Sequence, residues 1–127
     1  MINNNSEWIP IAHSSDLRED EPLAATADGI ELVVVQSAGA VHVMYGRCPH
    51  RGALMAHGCV CGASLECKAH GWDFSLETGV SRRVPGESLG RFTARTDTAT
   101  GEVLVSLVEL RSWRDDNPQA FSPDEFL

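Results

Sequence analysis

The chain of 127 residues has no apolar run of membrane-spanning length. Its longest apolar stretches are short and strand-like, whereas a transmembrane helix needs about 20 such residues. It has no basic stretch leading into an apolar one at the N-terminus, where Met1-Ile2-Asn3-Asn4-Asn5-Ser6-Glu7 stands. No secretory or twin-arginine signal is therefore expected, and the cytoplasm is the expected location. Positive charge is scarce: ten Lys and Arg oppose 18 Asp and Glu, for a formal net charge of −8. That argues against nucleic acid or an anionic membrane as the main partner and permits a partner with a basic docking face. There is no Gly-x-Gly-x-x-Gly element, so no nicotinamide or flavin site is expected. Internal repeats and low-complexity tracts are absent, and nothing before residue 109 has a convincing helical period.

What remains is strand-like. Hydrophobic residues make up 43% and charged residues 22% of the chain, ordinary usage for one globular domain. Residues 8–11 predict an edge strand, because Pro10 cannot donate to a ladder. Residues 23–26 predict a second strand. Asp28-Gly29 is a hairpin turn signal, followed by a strand over 30–37 with the β-branched run Val33-Val34-Val35. Ala38-Gly39-Ala40 turns the chain into 41–45. From Gly46 to Gly71 glycines are dense and periodicity breaks, which predicts two loops around a short strand near 65–67. Residues 72–75 and 80–84 predict another hairpin, and 90–96 with 102–108 a last one, closed by a polar turn ending at Gly101. The predicted fold is all-β with a metal-binding insertion in its middle.

Residues 109–127 are acidic and contain Asp115-Asp116-Asn117-Pro118, expected to be a linker or loosely docked arm. Ser122-Pro123-Asp124-Glu125 carries a helix-start signature, with an N-cap serine, proline at the first helical position and glutamate at the third. The chain stops at Leu127, before a helix of useful length. The arm is expected to end in one frayed turn, or to belong to something longer.

All four cysteines lie between positions 48 and 67. In a reducing compartment, clustered Cys and His read as metal ligands before disulfides. Cys48-Pro49-His50 and Cys67-Lys68-Ala69-His70 form two pairs, 16 residues apart, the first followed by Arg51-Gly52 and the second by Gly71. Two thiolates and two imidazoles suit structural zinc. They also suit a [2Fe–2S] centre in which two thiolates hold one iron and two neutral imidazoles the other. The second option spares the oxidised centre the −2 charge of an all-thiolate cluster, so an electron enters more easily and the potential is higher. A four-cysteine plant-type cluster does not fit the spacing of Cys48, Cys59, Cys61 and Cys67.

The segments Cys48-Pro49-His50-Arg51-Gly52 and Cys67-Lys68-Ala69-His70-Gly71-Trp72-Asp73-Phe74 resemble the cluster motifs of Rieske-type ferredoxins and of the N-terminal domains of ring-hydroxylating oxygenases. The Arg51-Gly52 and Gly71-Trp72-x-Phe74 flanks lean toward the oxygenases. The resemblance covers residues 7–108 and implies an antiparallel β-sandwich with a smaller cluster-binding subdomain at about 46–75, the domain as a whole spanning 1–108. It implies one Rieske [2Fe–2S] cluster with Cys48, His50, Cys67 and His70 as ligands. Respiratory-chain Rieske proteins carry an extra cysteine in each loop, joined as a disulfide; the matching positions here are similar to Ala53 and Ala69. Their serine and tyrosine donors to the cluster sulfurs are matched by Trp72 and Phe74. Without those donors the reduced, more negative cluster is less stabilised, which implies a low-potential member.

Cys59 and Cys61, in Gly58-Cys59-Val60-Cys61-Gly62, are expected to be small residues of a glycine-rich loop, with a second redox or metal site as the alternative. His57 is expected to be a loop residue, and His13 and His42 surface or strand residues. Residues 47–72 hold Arg47, Arg51 and Lys68 against Glu66 alone, the net-positive stretch of an acidic chain; Arg51 and Lys68 are either steering charges or merely solvated. Trp72 is expected to pack under the cluster. Three functions compete. The first is a ferredoxin carrying electrons from a flavin reductase to a terminal oxygenase or other oxidoreductase. The second is the electron-entry domain or small subunit of a larger oxidoreductase. The third is a zinc-stabilised interaction module. The chain is not expected to be catalytic alone, because an oxygenase needs a separate iron held by two His and a carboxylate.

Overall fold

The computed structural model describes residues 7–69 and 71–118. Strand β1 (Trp8–His13) leads through a short 3₁₀ turn at Ser14–Asp16 into a meander of β2 (Leu23–Ala27), β3 (Ile30–Ser37) and β4 (Ala40–Tyr45). Asp28-Gly29 and Ala38-Gly39 join the meander, all four residues at positive φ, the loop geometry that matches the twist of paired strands. Val33, Val34 and Val35 are fully buried, as a strand covered on both faces requires. A small inserted sheet follows: β5 (Cys59–Cys61), β6 (Ser64–Glu66) and β7 (Asp73–Ser75), paired in that order. The chain then returns as β8 (Arg91–Phe92), β9 (Ala94–Thr96) and β10 (Glu102–Ser106) and closes with α1 (Leu107–Asp116).

The body is a sandwich of two antiparallel sheets, ordered β2-β3-β4-β8 and β1-β10-β9. They share one apolar core in which Leu32, Val43, Met44 and Val105 are buried with Met55, Leu65 and Phe74 of the insertion. The insertion is thus rooted in the same core as the body. As predicted, β1 is an edge strand, and its register slips between Pro10 and Ala12.

Three local expectations are corrected. The predicted hairpin of 72–75 with 80–84 is not formed. Strand β7 pairs with β6 instead, and the second segment contributes the isolated bridge Val80 to Ser88. Its backbone is diverted: the N–H groups of Arg82 and Arg83 donate to the Asp73 carboxylate, and such side-chain partners compete with a ladder. The strand expected over 90–96 changes sheets at Thr93, where the backbone N–H and hydroxyl both donate to Glu109, at 2.5 and 2.8 Å. Residues 59–61, read as loop, form β5, with Cys59 opposite Glu66 and Cys61 opposite Ser64.

The stretch from 109, expected as an arm, continues a docked helix. Ser106 caps it by accepting from the Glu109 N–H at 3.3 Å, the side-chain cap that satisfies a helix's orphan donors. Leu107 and Leu110 are buried. Trp113 packs against Tyr45 and Phe92, with ring centroids 4.5 and 5.7 Å apart. Arg111 pairs with the Asp28 carboxylate at 3.3 Å, and Arg114 donates to the Asp28 carbonyl as well as pairing with its carboxylate. The helix start at Ser122 lies outside the described residues. No described helix is long and apolar enough to cross a membrane.

Candidate metal centre

Two loops of the insertion are built alike. In the first, the Cys48 carbonyl accepts from the Gly52 N–H and the Cys48 N–H donates to the Ala53 carbonyl, both at 2.8 Å. In the second, the Cys67 carbonyl accepts from the Gly71 N–H at 2.9 Å and the Cys67 N–H donates to the Trp72 carbonyl at 2.8 Å. Each cysteine therefore opens a tight turn that closes four and five residues later. Gly52 and Gly71 occupy the closing position at φ values of 75° and 70°, which glycine adopts without the penalty a Cβ brings. The matching Cys-x-x-x-Gly spacing was present in the sequence as the signal for this pseudo-symmetry.

Each turn is anchored by an arginine. Arg47 donates from Nε and Nη2 to both Glu31 carboxylate oxygens, at 2.6 and 3.0 Å, and from Nη1 to the Gly52 carbonyl at 2.8 Å. It ties the first loop to β3. Arg83 donates to the Gly71 carbonyl at 2.9 Å and pairs with Glu66 at 3.5 Å. Arg83 is positioned in turn by Asp73, whose carboxylate accepts from the Ser81 hydroxyl at 2.9 Å and the Arg83 N–H at 3.1 Å. Burial alone would raise the Asp73 pKa, but the hydrogen bonds from Arg83, Ser81 and Arg82 prevail and hold it below the usual value. These anchors were not singled out from the sequence, because they link residues far apart in it.

Cys48 and Cys67 are buried, and neither is in a disulfide. Burial pushes the Cys48 thiol up to about 11. The His50 backbone amide opposes the rise, while the neighbouring Cys67 thiol adds to it. A thiol held so high stays protonated in neutral solution unless a metal cation takes the proton's place. His50 is half-buried, and its ring stacks on Trp72 of the other loop at 4.5 Å and 21°. The structure thus brings three of the four expected ligands, Cys48, His50 and Cys67, to facing loops. His70 lies outside the described residues. Arg51 and Lys68 are exposed beside them.

The other histidines lie elsewhere. His13, on β1, hydrogen-bonds the Thr100 carbonyl at 2.8 Å. His42, on β4, has its pKa lowered by burial and by Arg91. His57 is exposed. Cys59 and Cys61 are exposed on β5, with their sulfurs 3.7 Å apart and both within 4.8 Å of a Glu66 carboxylate oxygen.

Residues 7–98 match the family model described as the Rieske [2Fe-2S] domain. The chain belongs to the Rieske family. It is 30% identical over 79 residues to the ferredoxin component of the naphthalene 1,2-dioxygenase system of Pseudomonas putida, an alignment covering 62% of this chain and 76% of that protein. It is 36% identical over 81 residues to the oxidoreductase NdmD of Pseudomonas putida, covering 63% of this chain and 14% of that protein. Among solved structures, the ferredoxin of carbazole 1,9a-dioxygenase from Nocardioides aromaticivorans superposes with a TM-score of 0.72 at 25% identity, covering 80% of this chain and 98% of that one. The chain spans under a fifth of the length of several curated relatives that it matches.

The cofactor of a Rieske domain is a [2Fe–2S] cluster. The residues present fit that group. Two buried, undisulfided thiols lie within interaction range of one another, one from each turn, and the His50 imidazole of the first turn stacks on Trp72 of the second, donor types that a Rieske centre uses.

Proposed function

We propose that Cys48, His50, Cys67 and His70 hold the cluster and that the chain works as a cytoplasmic, low-potential ferredoxin, taking electrons from a flavin reductase and delivering them to a terminal oxygenase. The cluster supplies a one-electron couple; the chain's own residues set where and how readily that couple is used. The observation that carries the reading is the pair of matched turns, each opening on a buried cysteine and tied by an arginine to its glycine carbonyl. Such anchoring holds the ligands still, so little reorganisation accompanies the change of charge. The exposed Arg51 and Lys68 make the tip less negative than the acidic body and provide a face on which a redox partner docks. Trp72 and Phe74 carry no hydroxyl, and Phe74 is fully buried, so neither stabilises a reduced cluster by donating to sulfur. A solved neighbour at 25% identity is a complex of reduced oxygenase and oxidised ferredoxin, which supports an oxygenase as the acceptor.

A second reading, the electron-entry domain of a larger oxidoreductase, is favoured by the much longer relatives. Stopped-flow mixing of the reduced chain with a Rieske oxygenase over a salt series separates the two. A free shuttle steered to a basic face should slow as exposed charges are screened beyond about 8–10 Å. Metal analysis comes first: two irons and two acid-labile sulfides per chain are expected, and one zinc without sulfide would end both readings.

A further inference from the structure

The hairpin of β5 and β6 carries a second set of metal-ligating side chains that the cluster leaves unused. Cys59 and Cys61 are two apart on β5, so their side chains share a face. Glu66 lies opposite Cys59 in the ladder and shares that face too. Both cysteines are exposed, and all three donor atoms lie within 4.8 Å of one another. We propose that Cys59, Cys61 and Glu66 form a separate metal site that takes one Zn²⁺, with a water completing the tetrahedron.

The distances favour a metal over a disulfide. Two thiolates on one tetrahedral zinc, with Zn–S bonds of about 2.3 Å, stand about 3.8 Å apart. The two sulfurs here are 3.7 Å apart. A disulfide would have to bridge positions i and i+2 of an extended strand, whose Cα atoms lie about 6.6–6.8 Å apart, at the upper limit a disulfide spans. Two soft sulfurs with one carboxylate oxygen suit borderline-soft Zn²⁺ better than Mg²⁺ or Ca²⁺, which require oxygen ligands. Arg83 holds one Glu66 oxygen at 3.5 Å, orienting the carboxylate as an outer-shell partner does. On binding, two S–H bonds are exchanged for two Zn–S bonds, both protons leave to solvent, and no oxidation state changes.

The test uses the full chain with its cluster in place, kept anaerobic and reduced, and stripped of loose metal with a mild chelator. Calorimetric titration with Zn²⁺ should show one equivalent bound and proton release of up to two per zinc. Co²⁺ should produce thiolate charge-transfer and tetrahedral ligand-field bands in difference spectra. The Cys59→Ser/Cys61→Ser double variant should lose affinity on the order of 100-fold or more while keeping its cluster spectrum. Glu66→Gln should weaken binding by about tenfold or more. Equal zinc affinity in wild type and the double variant would mean an adventitious ion only, and would overturn the proposal. Zinc uptake accompanied by bleaching of the cluster would overturn it as well, because the metal would then be entering the cluster's own ligands. Loss of the cluster spectrum in the double variant without zinc would instead count against the ligand set of the proposed function.

Discussion

Replacing Asp73 by alanine should destabilise the protein while leaving its sulfur ligands in place. The carboxylate is 2% exposed and accepts from the Ser81 hydroxyl at 2.9 Å, the Arg83 N–H at 3.1 Å and, weakly, the Arg82 N–H at 3.4 Å. Hydrogen bonds to a charged group contribute about 1.5–3 kcal/mol each. The two well-placed ones therefore sum to about 3–6 kcal/mol, which relaxation of the exposed 82–83 segment reduces to roughly 2–4 kcal/mol. For a chain of this length each kcal/mol moves the melting temperature by about 3–4 °C, giving a loss of about 6–16 °C in Asp73→Ala. Circular dichroism at a fixed scan rate, on protein with its cluster, reads it. Asp73→Asn keeps one acceptor oxygen and should recover about half of the loss. The sign with pH follows from the lowered pKa of Asp73. Its contribution is fully present above the unfolded value of about 3.9 and is lost as pH falls through the lower folded value. The gap between wild type and Asp73→Asn should therefore be full at neutral pH and close in acid. Because Arg83 also loses its seat on the Gly71 carbonyl, the electron paramagnetic resonance lines of the reduced cluster should broaden in Asp73→Ala. A melting temperature within about 2 °C of wild type, or a gap that widens as pH falls below 4, would refute the reasoning.

Trp113→Ala should cost roughly 2–4 kcal/mol, since it empties the half-buried space between Tyr45 and Phe92, and should leave the visible spectrum of the cluster unchanged; an unchanged melting curve would show that α1 does not depend on that contact. Arg47→Met should cost about 2–4 kcal/mol by stranding the largely buried Glu31 carboxylate, while Arg47→Met/Glu31→Gln together should cost less than the sum of the two single variants. Strict additivity by denaturant titration would remove the pair from the account. The midpoint potential should lie on the order of −150 mV rather than near +300 mV, at the low end of the Rieske span. It should change little between about pH 6 and 8, within which a histidine of ordinary pKa would titrate; protein-film voltammetry giving a strongly positive, pH-dependent value would contradict the reading of Trp72 and Phe74.

The strands were legible wherever the pattern was local. The meander from Leu23 to Tyr45 follows from alternation, from the run Val33-Val34-Val35 and from two turn dipeptides, each of which acts within a few residues. The ligand candidates were legible for the same reason, because Cys48 with His50 and Cys67 with His70 are near neighbours in the chain. Illegible were the elements whose backbone partners come from afar. Residues 80–84 have the composition of a strand, but the Asp73 carboxylate captures their N–H groups. The strand at 90–96 breaks because Glu109 of α1 captures Thr93. The helix itself was masked by the apolar run that precedes it, although Ser106 and Glu109 stand at cap spacing.

Chain chemistry alone thus determined the family, the all-β body and the kind of cofactor, since each depends on residue types at short, fixed separations. Only the tertiary structure decided which arginine anchors which turn, that His50 lies on Trp72, and that Cys59, Cys61 and Glu66 share one face. Those pairings join residues from different strands and loops. Their energies come from burial, hydrogen-bond direction and charge at close range, which do not exist until the sheets have packed and excluded water.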